Sequence, residues 1–267
     1  MNDFEIIDLS PENIAEYGVC GYKDAKKNKG LANKIAWFTE LYPKGLKIKI
    51  LFSKTKGYQG MVEYLPGELA HRPVNADGFL FIQCLFAGLK IEFKGKGHAS
   101  SLIAECIKEA RNEKKSGVAV VTRKGSFMAN DDIFLKMGFE IVDHAKPDFN
   151  LLVLKINPNS VNPNFKLEMQ LNLSNYNNGL TIIRSPQCPY TEKNVDEIIE
   201  TANKKYQLKT NLIELKDAAS AQNSPCAFGT FCIIFNGEII SHHPISNTRF
   251  ENIMNKLGEC KFKNPKR

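Results

Sequence analysis

A glycine loop set between an apolar strand and an amphipathic helix constrains this chain more than any other stretch. Phe79-Leu80-Phe81-Ile82-Gln83-Cys84-Leu85-Phe86 reads as a buried strand. Ala99, Leu102, Ile103, Cys106, Ile107 and Ala110 then recur at helical spacing. Between them lies Glu92-Phe93-Lys94-Gly95-Lys96-Gly97-His98. Two glycines one residue apart let successive backbone N–H groups turn inward, and the helix that follows adds the positive end of its dipole. Such a loop attracts phosphate. Lys94 and Lys96 place full charges at the same mouth, which favours a pyrophosphate-bearing ligand over a neutral one.

The dinucleotide-binding pattern wants a third glycine three positions after the second, near the start of a βαβ unit. Position 100 is Ser and the loop comes after several strands, so that pattern does not apply. At 267 residues the chain is long enough for two domains, and 43% hydrophobic with 24% charged residues is ordinary globular composition. No apolar run of membrane-spanning length and no secretory leader is read, which gives a cytoplasmic expectation. The net charge of +7 is spread over several lysine clusters without aromatic interleaving. That argues for solvated faces and an anionic cofactor rather than nucleic acid. Seven cysteines at irregular spacing argue against a disulfide framework, and no metal-ligand set is expected.

Taken in order, Phe4 to Asp8 predicts a strand, and Ser10-Pro11 a helix start with Ser10 as N-cap. Ala32 to Tyr42 predicts a helix with Ile35, Phe38 and Leu41 on one face. Leu46 to Ser53 alternates apolar residues with lysines, the pattern of a half-exposed antiparallel strand, and Gln59 to Leu65 and Gly78 to Phe86 follow as strands. Beyond the loop come a helix from Ala99 to about Lys114, a wholly apolar strand Gly117 to Thr122, a short helix Ala129 to Met137, and strands Phe139 to Asp143 and Asn150 to Ile156.

Glu92-Phe93-Lys94-Gly95-Lys96-Gly97 resembles the [Q/R]-x-x-G-x-[G/A] motif that the GNAT acetyltransferases carry between their fourth strand and third helix, with Glu in place of Gln or Arg. Phe134-Leu135-Lys136-Met137-Gly138-Phe139 is similar to the second signature of that family, and the element order agrees. The resemblance covers residues 1–156 and implies an α/β (α+β) GNAT mixed sheet with flanking helices. It implies acetyl-coenzyme A as cofactor, held by the backbone of Leu85 and Phe86 and by Lys94, Gly95, Lys96, Gly97, His98 and Ala99. An amine, small-molecule or peptide, would be the acceptor.

An Asn/Pro-rich linker at 157–166 separates a second domain at 167–267. There a strand at Leu180 to Arg184 precedes Cys188-Pro189-Tyr190-Thr191 and a helix to about Tyr206. A strand at Thr210 to Leu215, a loop, and a hairpin joined by Asn236-Gly237 follow, then a helix from Asn247 to Leu257. This order, with a cysteine opening the first helix, resembles a small thioredoxin-like α/β domain. The pairing of the two domains resembles bacterial proteins with a C-terminal YoaP-like domain. Gly229 stands where the resemblance places a cis-proline.

The family's usual proton donor, a Tyr four residues before the Gly-Phe pair, is Phe134 here, and Phe79 to Phe86 carries no carboxylate. Glu63, Glu68, His71 and His98 are the remaining acid–base candidates in the first domain. Cys188, placed at a helix N-terminus, is expected to have a lowered pKa, with Cys226 able to resolve it once oxidised. The leading expectation is an acetyl-coenzyme A-dependent N-acetyltransferase whose thioredoxin-like domain assists acceptor selection. The alternative is a thiol-based binding or redox protein with a coenzyme A-sensing first domain.

Overall fold

The computed structural model describes residues 3–88, 91–166 and 171–263. The first part of the chain builds a seven-stranded mixed sheet. Its elements are β1 (Phe4–Asp8), α1 (Ile14–Tyr17), α2 (Lys29–Leu41), β2 (Lys47–Ser53), β3 (Gly57–Pro66), β4 (Val74–Asn75) and β5 (Phe79–Ala87). There follow α3 (His98–Asn112), β6 (Gly117–Thr122), α4 (Asp131–Lys136), β7 (Glu140–Ala145), β8 (Phe149–Lys155) and β9 (Asn164–Phe165). Strand order is β1-β2-β3-β5-β6-β8-β7, antiparallel throughout except for the parallel pair β5–β6.

That parallel pair is short. β6 meets β5 only from Phe79 to Ile82, while β5 runs on to Ala87 against β3 alone. The sheet therefore splays where β5 leaves β6, and beyond Gln83, whose carbonyl takes Arg72, that side of β5 has no neighbouring strand.

One face of the sheet is covered by α3, whose Leu102, Ile103, Cys106, Ile107 and Ala110 pack on Leu51, Val62, Tyr64, Leu80 and Ile82. This corrects the half-exposed expectation for β2. Lys49, on the supposedly wet face, is 8% exposed and reaches from beneath α3 to Asp8 at 2.5 Å and Glu105 at 3.6 Å. A long aliphatic stem lets a lysine cover core while its ammonium finds carboxylates. Ser10 is not an N-cap either: its N–H is bound by the Asn13 side chain at 2.8 Å, and the helix begins only at Ile14. α2 begins earlier than expected because Asn28 caps it, accepting the Leu31 N–H at 2.8 Å.

The second part adds β10 (Leu180–Arg184), α5 (Val195–Tyr206), β11 (Thr210–Glu214), α6 (Ala218–Gln222), β12 (Phe231–Phe235), β13 (Glu238–Ser241) and α7 (Asn247–Lys263). Its sheet runs β11-β10-β12-β13, with β10 and β11 parallel and β12 and β13 antiparallel to their neighbours. Asn236 and Gly237 both have positive φ, as the two-residue hairpin turn requires. α6 falls in a stretch expected to be loop; a capping box between Asp217 and Ser220 makes it a helix.

The two sheets do not stand apart. Apolar residues of the α2 side of the first sheet, among them Ile14, Phe38 and Phe81, form one contiguous buried cluster with Ile182, Phe231 and Phe250 of the second. The linker takes part: β9 pairs with β4, and Phe165 is buried. Two glycines mark where backbones meet. A Cβ on Gly30 would stand 2.5 Å from the Pro189 carbonyl oxygen, and one on Gly229 would stand 2.4 Å from that of His71. Gly229, at φ +79, thus serves close approach of the first unit.

Candidate active site

The glycine loop has the conformation its sequence calls for. Gly95 and Gly97 sit at φ +72 and +80, Gly97 is the N-cap of α3, and ideal Cβ atoms at both would project into open space. The loop lines a cleft of about 340 Å³ with Ala87, His98, Ala99 and Ser100 on one side and Asp132, Ile133 and Lys136 of α4 on the other. Lys94 and Lys96 are exposed at its rim. The His98 ring packs on Phe4 with centroids 4.3 Å apart.

A second cavity, of about 320 Å³, opens on the other stretch of the splayed strand. Cys84, Leu85 and Phe86 of β5 line it, with Tyr58 and Met61 of β3, Cys20, Phe127 and Met128. Cys188 and Tyr190 of the second unit complete it. Leu85 and Phe86 thus border one cavity and Ala87 the other, so the unpaired end of β5 runs from the first to the second.

Beneath this cavity lies a buried polar network. Glu63 on β3 is paired across the ladder with Cys84 and is fully buried. One of its oxygens takes the Lys34 ammonium, also fully buried, and the other accepts Gln187 Nε2–H at 2.6 Å from the second unit. Lys34 stands 4.3 Å from the Trp37 ring centroid. Trp37 Nε1–H donates to His71 Nε2 at 3.1 Å, which leaves His71 Nδ1–H to donate to the Leu69 carbonyl at 3.1 Å. His71 is therefore the neutral Nδ1–H tautomer, and burial lowers its pKa to about 4. Gln83 holds the His71 N–H at 3.0 Å, and Arg72 spans from the Gln83 carbonyl to that of Phe228 in the second unit. Burial lowers the Arg72 pKa to about 10.

These contacts occupy the acid–base candidates. Glu63 has both oxygens engaged, His71 has both nitrogens engaged, and Glu68 accepts the Gly78 N–H at 2.8 Å as a turn brace. Phe134 is fully buried in the core beneath α3.

Cys188 departs from expectation. Its carbonyl accepts the Thr191 N–H at 3.0 Å in a short 3₁₀ turn, and α5 starts only at Val195, seven residues on. With only a 3₁₀ turn beside it, burial outweighs the Tyr190 and Thr191 backbone N–H groups and pushes its pKa up. The thiol whose pKa is lowered is instead Cys226, expected from the sequence only to resolve Cys188. Burial works against its ionisation. The Cys232 thiol and His242, whose Nδ1 is 3.1 Å from Cys226 Sγ, outweigh that and lower its pKa. Cys226 precedes β12, and His242 follows β13, so the hairpin register brings them together; no local spacing signals it. Cys260 lies outside the residues whose side chains are described. Among the described residues no cluster of three or more metal-ligating side chains occurs, and no helix is long and apolar enough to cross a membrane.

A mixed sheet splayed at its parallel pair, with a glycine loop opening the helix behind the gap, is the arrangement that the resemblance to the GNAT acetyltransferases implies. Residues 210–252, from β11 into α7, match the model of the YoaP-like family. Over 255 residues the chain is 29% identical to the protein named uncharacterized N-acetyltransferase YoaP of Bacillus subtilis (strain 168), covering 94% of this chain and 99% of that one. Solved structures similar to it include the paia N-acetyltransferase of Thermoplasma acidophilum with coenzyme A, at 15% identity and a TM-score of 0.39 over 57% of this chain and 98% of that chain. A GNAT family acetyltransferase of Brucella melitensis with acetyl-coenzyme A is similar at 15% identity and 0.37, over 59% and 91%.

Proposed function

We propose that the chain is an acetyl-coenzyme A-dependent N-acetyltransferase. The observation that carries this reading is the splayed end of β5, which joins a glycine-loop cleft to an apolar cavity. Pyrophosphate fits the first, where inward N–H groups, the α3 dipole, Lys94 and Lys96 converge. The pantetheine arm fits the unpaired backbone at Leu85 and Phe86. Its thioester then stands at the cavity where an acceptor is received. Catalysis on this reading rests on positioning, which alone supplies a large share of a bimolecular barrier. The second unit contributes Cys188 and Tyr190 to the acceptor wall, and its β11-β10-β12-β13 order supports a thioredoxin-like reading of that unit. Titrating the full chain with acetyl-coenzyme A tests the core of this: micromolar to millimolar binding is expected, and its absence removes the reading.

The Cys226–His242 contact favours a second reading, thiol chemistry in the second unit. A thiol whose pKa is lowered by its Cys232 and His242 neighbours reacts at pH values where an ordinary thiol does not. Alkylation by iodoacetamide followed by peptide mass spectrometry should show the rate at Cys226 already level below about pH 8.5, while that at Cys188 is still rising there. A level rate at Cys188 in that range would restore it as the functional thiol.

A further inference from the structure

The class of acceptor can be drawn from the cavity, on the reading of the chain as an acetyl-coenzyme A-dependent N-acetyltransferase. Among the described residues, its lining has no group charged at neutral pH. Burial pushes up the thiol pKa values of Cys20, Cys84 and Cys188, and those of the Tyr58 and Tyr190 phenols. Glu63 and Lys34 lie behind this lining, already spent on each other.

An aliphatic amine is protonated at pH 7 in all but less than about one molecule in a thousand. As an ammonium it would shed its water here and meet no carboxylate, a costly transfer. A conjugated amine on an aromatic ring is neutral at that pH and meets no such cost. The walls agree. Tyr190 and Phe127 stand with ring centroids 6.0 Å apart, and the Met61 and Met128 thioethers join them, surfaces suited to a flat ring. The volume of about 320 Å³ is at the small end for ligand sites. One polar atom is at hand: Tyr58 Oη is buried at the cavity with only the Cys20 backbone near it, so its hydroxyl is not fully satisfied, and buried hydroxyls are rarely left so.

We propose that the acceptor is a small primary aryl amine, its ring between Tyr190, Phe127 and the methionines and its N–H directed to Tyr58 Oη. The amine nitrogen attacks the thioester carbonyl carbon and the C–S bond breaks. The electron pair goes to the coenzyme A sulfur, and the proton lost by nitrogen ends there, giving an amide and a free thiol with no redox change. A weakly basic nitrogen gives up that proton readily once it carries the acyl group, so no strong base is required. This accounts for an acceptor site with neither a free carboxylate nor a free imidazole.

The test measures release of coenzyme A thiol by the full chain at pH 7 with aniline, cyclohexylamine and benzylamine as acceptors. Aniline should exceed both aliphatic amines in kcat/KM by about a hundredfold, below the full protonation penalty because aniline is the weaker nucleophile. Tyr58→Phe should lower kcat/KM for aniline about tenfold without changing acetyl-coenzyme A affinity. Faster turnover of either aliphatic amine, or no turnover of any while acetyl-coenzyme A binds, overturns the aryl amine proposal and leaves the transferase reading standing. Failure to bind acetyl-coenzyme A removes both. Should Tyr58→Phe not fold, the amine comparison on the parent chain decides alone.

Discussion

Valine at position 97 should abolish measurable acetyl-coenzyme A binding in a calorimetric titration while leaving the thermal melt of the chain where it was. Gly97 lies at φ +80, a region a β-branched residue enters only at a cost of ~1–3 kcal/mol. A cost of that size corresponds to about ten- to a hundredfold in affinity if the loop must be held in its present form to bind. Without ligand the loop is free to relax, because a Cβ there meets nothing within 4 Å. The strain is therefore felt in binding and hardly in folding. The open space is itself where phosphate oxygens would approach, so the added methyls obstruct as well as strain. Lys96→Ala should weaken binding only modestly and in a salt-dependent way, since Lys96 is exposed and screened. Glu92, exposed in the turn before the loop, should repel the ligand, so Glu92→Gln is expected to bind more tightly. Weaker binding by Glu92→Gln would count against a cradle made of backbone N–H groups.

Lys34→Met should be among the most destabilising single changes in the chain, lowering stability by ~3–5 kcal/mol in urea denaturation. The pair it breaks is fully buried on both sides, and Glu63 would be left with Gln187 alone. Removing the second charge as well, in Lys34→Met with Glu63→Leu, should recover much of the loss, because the penalty comes from an unpaired buried carboxylate rather than from a strong attraction forfeited. If Lys34→Met denatures at the parent's midpoint, the pair is hydrated in solution and Glu63 regains standing as a base.

What the sequence made legible divides along physical lines. Strands β1, β6, β10 and the β12–β13 hairpin fell where alternation, continuous apolar runs and Asn236-Gly237 put them, because each is set by its own residues. The glycine loop was legible for the same reason. Lys34 and Lys49 were not: a lysine on an amphipathic element reads as solvated, and its burial is decided by a partner distant in sequence, Glu63 or Asp8. Cys188 was misjudged because its activation depended on where the helix starts, and the stretch from Pro189 to Thr191 forms a 3₁₀ turn first. The Cys226–His242 contact depends on sheet register, and the acceptor cavity on the meeting of two units; neither is written in a local pattern.

The glycines at 30 and 229 bear on how such a chain can change over generations. Modules that are exchanged freely tend to meet through polar rims that tolerate new side chains. Here each half has given up a side chain so that the other's backbone can fit, Gly30 for Pro189 and Gly229 for His71 and Arg72. Gly229 also closes a turn of its own half, its N–H donating to the Cys226 carbonyl at 2.8 Å, so it answers to both. A foreign domain spliced in place of either half would have to bring a backbone that fits the same two close approaches.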